Sequence, residues 1–247
     1  MSAATIGWVA PDWPVAGHVR VLSTLRGGGV SAGPYASLNL AAHVGDRPEA
    51  VSTNRRLLRQ AARVPAEPLW LEQVHGSDVV RHERGSGGNR GDACVAFTVD
   101  RVCAVLTADC LPVVLADRAG TRVGVAHAGW RGLVGGVLQA TIAALEVPAG
   151  ELHAWLGPAI GPQAFEVGPE VRAAYLARVA GSSGCFAGSE RGRFLADLYR
   201  LARLVLEQAG VAGVHGGGWC THREAGRFFS FRRDGVTGRM ATLAWLA

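Results

Sequence analysis

The sequence predicts an α+β fold in which packed mixed β-sheets are flanked by helices, with residues 1–247 forming a single domain. Three observations support this fold class. Strand-like apolar segments outnumber helix-like amphipathic segments. The strand-like segments between Ala93 and Ala126 follow one another without an intervening helix, which argues against a regular βαβ alternation. Apolar residues make up 49% of the chain, enough to bury a sizeable core.

The predicted strands are short apolar runs bounded by turn residues, and the predicted helices repeat their apolar residues with helical spacing. Asp46 is the expected N-cap of the first helix, ahead of Pro48. Arg84–Gly91 is predicted to be a flexible surface loop because it is rich in glycine. The predicted strands are Val19–Leu25, Leu69–Val74, Ala93–Thr98, Val102–Thr107, Leu111–Ala116, Val123–Ala126, His153–Leu156, Phe228–Arg232 and Ala241–Trp245, and the predicted helices are Pro48–Val64, Gly132–Leu145, Glu170–Ala180 and Leu195–Ala209.

The basic residues restrict the chemistry that is open to the chain. The net charge is +5, and all 25 basic residues are arginine. A Schiff-base lysine and a Walker-type phosphate lysine are therefore excluded. Anions must be held by arginine, by backbone N–H groups or by a metal. The arginines are scattered along the chain, so we expect a solvated surface and no nucleic-acid partner.

The cysteine content and the hydropathy pattern favour a cytoplasmic protein. Five cysteines at irregular spacing do not form a disulfide framework, and one must stay unpaired. No signal-peptide pattern is visible, and the apolar runs are too short to span a bilayer, so no membrane partner is expected. The sequence leaves the oligomeric state open.

Three segments each begin as an apolar strand and end in a residue that can bind a metal. His75 ends the first segment, Cys110 the second and His127 the third. Side chains at the ends of buried strands are held rigidly and still reach solvent. If the three ends converge, they form a site with two histidines and one cysteine. Such a site leaves a fourth position for water or substrate, as in catalytic zinc centres.

The spacing of these residues leaves two other interpretations open. In one, Cys110 is a small buried residue and both histidines are satisfied by backbone carbonyls. In the other, Cys110 is a nucleophile with His127 or His75 as its base.

Further residues are candidates for contacts with substrate. Gly129 and Gly132 allow a tight turn from strand to helix, so Arg131 is expected near a helix N-terminus that favours anions. Asn39 and His43 lie in a region rich in Gly and Asn that can line a pocket. The alternative is that Arg131 makes only a surface pair and that Asn39 and His43 serve turn geometry.

The same stretches carry a resemblance to a known family. GGVSAGPYASLNLAAHVGD, NRRLL, WLEQVHG, TADCLP, HAGWRG, GPAIGPQAFEVG and FFSFRRDGVTGRM occur in this order from Gly27 to Met240. The chain resembles the laccase-domain family of YfiH-like proteins, once described as multicopper polyphenol oxidases. Members are now described as purine nucleoside phosphorylases with adenosine deaminase activity, and some as peptidoglycan editing factors.

The resemblance implies a catalytic zinc ion held by His75, Cys110 and His127. Two imidazoles and a thiolate are also soft enough donors to bind copper. It implies inosine, adenosine, guanosine and methylthioadenosine as substrates, with phosphate as the second small-molecule partner. Carried over residue by residue, it also implies substrate-binding roles for four residues, namely Asn39, His43, Arg55 and Arg131.

Other functions remain in competition with this one. A cysteine or metallo-hydrolase that edits UDP-muramoyl-amino acid precursors is compatible with the same residues. A non-catalytic binding module is disfavoured by a rigid three-ligand site. A copper-dependent polyphenol oxidase is disfavoured because several coppers need many histidine ligands, and the chain has eight histidines in all.

Overall fold

Strands outnumber helices in the computed structural model, which describes residues 5–83 and 88–247. Residues 84–87 of the predicted loop Arg84–Gly91 lie outside the described residues. The strands are β1 (Trp8–Val9), β2 (Val19–Thr24), β3 (Leu69–Trp70), β4 (Val79–Arg81), β5 (Ala93–Ala96), β6 (Cys103–Thr107), β7 (Leu111–Asp117), β8 (Val123–Ala128), β9 (Leu152–Leu156), β10 (Glu166–Val167), β11 (Phe186–Gly188), β12 (Phe194–Ala196), β13 (Gly213–Gly216) and β14 (Met240–Leu246). The helices are α1 (Pro48–Ala61), α2 (Trp130–Gly135), α3 (Val137–Ala144), α4 (Pro169–Arg178), α5 (Leu198–Gln208) and α6 (Phe231–Asp234).

Two mixed sheets pack face to face, and helices cover their outer surfaces. The five-stranded sheet has the order β1-β2-β14-β6-β3, and the six-stranded sheet has the order β13-β9-β7-β8-β5-β4. In both sheets the central strands are antiparallel, and the parallel pairs lie at the edges. A small sheet of β10, β12 and β11 lies apart from them. This architecture confirms the predicted α+β fold of packed mixed sheets flanked by helices.

The core explains why the central strands are continuous apolar runs. In β7, Leu111 and Val113 pack toward the helices, whereas Val114 packs between the two sheets. A strand that is covered on both faces has no polar side to expose. Burial of each such side chain contributes roughly 1.5–3 kcal/mol. This packing fixes the ends of the central strands, where the candidate site lies.

The predicted strand Leu69–Val74 is shorter than expected, and the reason lies in the hydrogen bonds of the residues that follow it. Regular pairing ends at Trp70. The side-chain amide of Gln73 then binds the backbone of Leu106, donating to its carbonyl at 2.9 Å and accepting from its N–H at 2.7 Å. A side chain here takes the place of a neighbouring strand, and the chain turns toward the site.

Two predictions for the helices were wrong in detail. The predicted helix Gly132–Leu145 is divided into α2 and α3, because Gly136 between them has a φ of 98°, a left-handed conformation that glycine adopts without strain. Arg47, and not Asp46, is the N-cap of α1, and the Asp46 carboxylate instead accepts bonds from Ser31 and Asn39.

Among the described residues, no helix combines the length and apolar content that a membrane crossing requires.

The predicted strand Phe228–Arg232 was also wrong. Phe228 and Phe229 are buried in a loop, and α6 begins at Phe231. Ser230 caps that helix by accepting a hydrogen bond from the N–H of Arg233, which diverts the chain from an extended course. The strands β1, β4, β10, β11, β12 and β13 were not predicted, because each has only two to four residues.

Candidate metal centre

The structure brings His75, Cys110 and His127 together at one end of the sheets. His75 lies in a bend beyond β3, Cys110 in the connection between β6 and β7, and His127 within β8. The three candidate ligand atoms all lie within 4.8 Å of one another. The two imidazole rings meet edge to face, with centroids 4.8 Å apart and an interplanar angle of 77°. His75 and His127 are 52 positions apart in the chain, and the folding of separate strands makes them neighbours.

A buried carboxylate, that of Asp92, holds two of the three residues in place. Its Oδ1 lies 2.8 Å from Nδ1 of His127, and its backbone carbonyl accepts the N–H of His127 at 2.7 Å. The same carboxylate accepts the successive backbone N–H groups of Val74, His75 and Gly76 at 3.1, 2.9 and 2.7 Å. The arrangement leaves Nε2 of His127 as its free ring nitrogen. Asp92 thereby orients the ring of His127 directly and positions His75 through its backbone.

The backbone around the cluster is adapted to close approach. His75 has a φ of 61°, in the left-handed region that few residues other than glycine adopt, and this places consecutive N–H groups around Asp92. At Gly129, an added Cβ would lie 2.9 Å from Sγ of Cys110 and 3.3 Å from the ring of His75. Glycine is therefore required at position 129 by contact with the cluster itself.

The charges of the cluster depend on one another. Burial raises the pKa of the Cys110 thiol, but the positive charge of His127 and hydrogen bonds from both imidazoles outweigh burial and lower this pKa to about 6. Burial likewise opposes protonation of His127, but the Cys110 thiolate and the Asp92 carboxylate raise its pKa to about 9. Near neutral pH the two residues form a thiolate–imidazolium pair.

The cluster lies on the walls of two adjoining cavities of about 240 Å³ each. We name them the polar cavity and the aromatic cavity after the residues that distinguish them. Phe231, whose side chain is exposed, borders both. His75 and Cys110 border both cavities, and His127 borders the polar cavity. The polar cavity is further lined by His43, Gln73, Leu106, Thr107, Ala108, Phe231 and Arg239, and the aromatic cavity by Ala108, Asp109, Trp130, Arg131, Ile160, Phe165, Leu198, Phe231 and Arg232.

Two of the four predicted substrate-binding residues lie on the walls of these cavities. His43 lines the polar cavity, where burial and the positive charges of Arg239 and Arg55 lower the pKa of its imidazole. Arg131 lines the aromatic cavity and is exposed, with its guanidinium 4.5 Å from the centre of the Trp130 ring. Arg131 belongs to the first turn of α2, as the turn from strand to helix predicted.

The other two predicted residues lie outside the cavity walls. Asn39 is fully buried, and its side chain binds the backbone of Ala41 and accepts the N–H of Arg239 at 3.0 Å. Arg55 stacks on Trp70, with its guanidinium 4.0 Å from the ring centre, and donates twice to the Leu40 carbonyl. Both residues stabilise the segment that carries His43.

The sequence did not reveal several residues that hold the cluster or line the cavities beside it. Asp92 stands before a buried strand and gives no signal of its own in one sequence. Thr107 and Arg239 were overlooked although TADC and TGRM are among the matching motifs. Asp109 was missed as well, and its carboxylate accepts bonds from the hydroxyl of Thr221 and the N–H of Arg232 at 2.6 Å each. Thr107, Asp109 and Arg239 share one signal, because each lies beside a ligand in the sequence or within a matching motif. The spacing of the three ligands does not reveal these positions.

The donor set fits one transition-metal ion. A thiolate and two imidazoles suit zinc, and a carboxylate bound to the far nitrogen of a histidine is the usual support of a zinc ligand. The same soft donors also accept copper. Within residues 5–83 and 88–247, this is the one group of three or more such side chains close enough to share an ion. The described residues therefore favour a single-metal centre over a multicopper cluster.

Comparison with protein families agrees with the motifs found in the sequence. The family model described as multi-copper polyphenol oxidoreductase laccase matches residues 20–247. A purine nucleoside phosphorylase of Pseudomonas aeruginosa is 53% identical over 240 residues, covering 97% of this chain and 98% of that protein. The purine nucleoside phosphorylase YfiH of Escherichia coli is 50% identical over 239 residues, covering 96% of this chain and 98% of that protein.

Solved structures have the same fold. A Neisseria meningitidis protein superposes with a TM-score of 0.93 at 53% identity, over 97% of this chain and 98% of that one. The protein YlmD of Geobacillus stearothermophilus superposes with a TM-score of 0.88 at 32% identity, over 97% of this chain and 96% of that one. The similarity therefore extends over nearly the whole length of each protein.

Proposed function

The chain belongs to the laccase-domain family of YfiH-like proteins, and on this premise we propose that it is a zinc-dependent purine nucleoside phosphorylase. Its proposed substrates are inosine, guanosine, adenosine and methylthioadenosine, and adenosine deamination is its proposed second activity. The names of its curated relatives support the first activity. The observation that carries the proposal is the convergence of His75, Cys110 and His127 between two cavities.

His75, Cys110 and His127 would hold the zinc ion, and Asp92 would fix the orientation of His127. When bound, zinc supplies Lewis-acid chemistry and activates water at neutral pH. Because three protein ligands leave a position open, the proposed centre is catalytic. The aromatic cavity offers Trp130, Phe165 and Phe231 as surfaces on which a purine can pack.

Phosphorolysis needs a nucleoside and a phosphate held in one orientation. An oxygen of phosphate forms a bond to C1′ of the ribose while the bond from C1′ to the purine nitrogen breaks. The purine leaves with the electron pair and takes up one proton, and ribose 1-phosphate remains. The residues that line the cavities bring the reactants together and exclude bulk water, a contribution worth several orders of magnitude in rate when the orientation is correct.

Deamination replaces the amino group at C6 of adenosine with the oxygen of water and releases ammonia. This reaction needs no phosphate and uses the same pocket. Phosphate dependence is therefore the criterion that separates the two activities.

The purified protein should contain about one zinc per chain, as a single centre requires. With inosine and phosphate it should form hypoxanthine and ribose 1-phosphate, and with adenosine alone it should form inosine. Product analysis by chromatography, with and without phosphate, tests both reactions. If the zinc-loaded protein converts none of the four nucleosides, the proposal is wrong.

The cluster favours one second candidate, a hydrolase that cleaves an amide in UDP-muramoyl-amino acid precursors. In space, the Cys110 thiolate lies beside the His127 ring, and the His127 ring lies beside the orienting Asp92 carboxylate. A cysteine nucleophile and its base are arranged in the same order. Rapid quenching with each substrate, followed by measurement of intact mass, separates the candidates. A covalent adduct on Cys110 supports the hydrolase, whereas activity that is lost on chelation and restored by zinc supports the metal ligand.

A further inference from the structure

We propose that Arg239 and Thr107, together with His43, form a phosphate-binding subsite in the polar cavity beside the cluster. This inference rests on the proposed phosphorylase function, because it assigns the position of the second substrate. It differs from the expectation that the anion site lies at Arg131, which borders the aromatic cavity.

Arg239 presents a fixed positive charge to the polar cavity. It immediately precedes β14, where Asn39 accepts its N–H at 3.0 Å and its own carbonyl accepts the N–H of Leu40 at 3.3 Å. The half-buried guanidinium uses Nη1 to bind the carbonyls of Thr237 and Gly238. Among the described residues, no carboxylate forms an ion pair with it. A held guanidinium with free donors is suited to a phosphate.

Thr107 supplies an independent indication of a missing partner. Its side chain is 2% exposed, and its Oγ1 is buried without a hydrogen-bond partner in the described part of the chain. Buried hydroxyls are nearly always paired, so an unpaired one in a residue that lines a cavity points to a ligand atom. Of the buried side-chain atoms that lack a partner, this is the one that borders the polar cavity. Thr107 pairs with Met240 in the sheet, which places its residue next to Arg239.

The two cavities differ in charge and chemistry. Among the described residues, the wall of the polar cavity contains no Asp or Glu, and its one negatively charged group is the Cys110 thiolate, which borders both cavities. The aromatic cavity has the Asp109 carboxylate in its wall together with apolar and aromatic side chains. Phosphate in the polar cavity and purine in the aromatic cavity would place the bond between ribose and base beside the cluster. Arg131 would then lie on the nucleoside side of the site.

The test measures the KM for inorganic phosphate at saturating inosine in zinc-loaded protein. R239Q should raise this KM at least tenfold, because it removes a charge-assisted contact, and T107V should raise it roughly threefold to tenfold by removing one hydrogen bond. S182A is the matched control for the threonine, because Ser182 is also buried with an unpaired hydroxyl but lies outside the walls of both cavities. R20Q, on the exposed side of β2, is the control for the arginine.

Both controls should keep the phosphate KM within twofold of the wild type. The KM for inosine should change less than the KM for phosphate in R239Q and T107V. If R239Q and T107V both keep the wild-type phosphate KM, or if R131Q alone raises it, the subsite is not at Arg239. T107V keeps the test decisive if R239Q fails to fold.

A separate binding measurement distinguishes failure of this inference from failure of the proposed function. Titration calorimetry with inorganic phosphate, against chloride at equal ionic strength, needs no turnover. Phosphate binding that R239Q and T107V weaken, in a protein that forms no ribose 1-phosphate, would support the subsite and refute the phosphorylase. Phosphorolysis with unchanged phosphate KM in both variants would support the phosphorylase and refute the subsite. Absence of both phosphate binding and phosphorolysis would refute both.

Discussion

Among the described residues, two pairs of histidines have their rings close together, and one of these pairs has the surroundings of a metal centre. His153 and His215 lie on the parallel strands β9 and β13, with Nδ1 of the first 3.2 Å from Nε2 of the second. His75 and His127 are at a similar ring separation, 4.8 Å against 5.4 Å for the pair. Proximity of two imidazoles is thus common to both groups.

The surroundings of the two groups differ in three respects. His75 and His127 have Cys110 as a third donor, whereas His153 and His215 have no third donor of metal-binding type within the described residues. Asp92 orients the first group, while in the second group each ring has the other ring as its hydrogen-bond partner within the described residues. Burial, the charge of His215 and the charge of Arg118 all lower the pKa of His153. A third soft donor and an orienting carboxylate, rather than imidazole proximity, therefore make the candidate centre.

Removal of the third donor should have the largest effect. C110S should lose most of the bound zinc and lower phosphorolysis at least a hundredfold, because a neutral hydroxyl is a poor zinc ligand. C185S is the matched control, since Cys185 is a buried free thiol outside the cluster. Zinc content by atomic emission and kcat with inosine are the measurements. Full zinc content in C110S would place the metal elsewhere.

Removal of the orienting carboxylate should have the next largest effect. D92N should weaken zinc binding 10- to 100-fold, the usual cost of losing the partner of a histidine ligand. D117N is the control, because Asp117 is also buried and accepts three bonds from Thr121 and Arg122 at a distance from the cluster. Both variants should lower the melting temperature, but only D92N should lower zinc affinity in a chelator competition. Equal zinc affinity in the two variants would contradict the role of Asp92.

Proton release on zinc binding should distinguish the cluster from an ordinary histidine pair. In the metal-free protein the pKa of Cys110 is about 6 and that of His127 about 9. Between these values the thiolate is already formed and only the His127 proton must leave. Zinc affinity should therefore rise about tenfold per pH unit from pH 6 to 9, more steeply below pH 6, and level off above pH 9. Calorimetry in buffers of different ionisation heat should give about one proton released at pH 7.5; none released would refute this charge state.

Strand order along the chain explains how much of the site the sequence predicts. His75, Cys110 and His127 were identifiable because each follows or ends an apolar strand, and such ends meet at one edge. Asp92 was not identifiable, because its role depends on the N–H groups of three residues in a turn whose conformation no local pattern specifies. Gln73 was hidden for a related reason, since its side chain replaces a strand pairing that the apolar run Leu69–Val74 predicts.

The fold was predictable to a similar depth. Long apolar runs gave the central strands, because burial on both faces leaves a clear compositional pattern. The division of one predicted helix at Gly136 depended on which of several glycines adopts a positive φ. The wrongly predicted strand Phe228–Arg232 has an aromatic pattern typical of strands, but the Ser230 cap decided its conformation. Local backbone conformation and helix capping, rather than propensity, determined these segments.

The smallest effect is expected at the second histidine pair, where the comparison predicts structural consequences alone. H215Q should leave zinc content and kcat within twofold of the wild type, and loss of one hydrogen bond should change the free energy of unfolding by about 1 kcal/mol. Because the pKa of His153 is lowered in the folded protein, its contribution to stability is lost as pH falls through the ordinary histidine range. H215Q removes one of the positive charges that lower it, so the variant should lose less stability than the wild type between pH 7 and 5. Urea unfolding at both pH values measures this difference, and a larger acid loss in H215Q would contradict the role of the His215 charge.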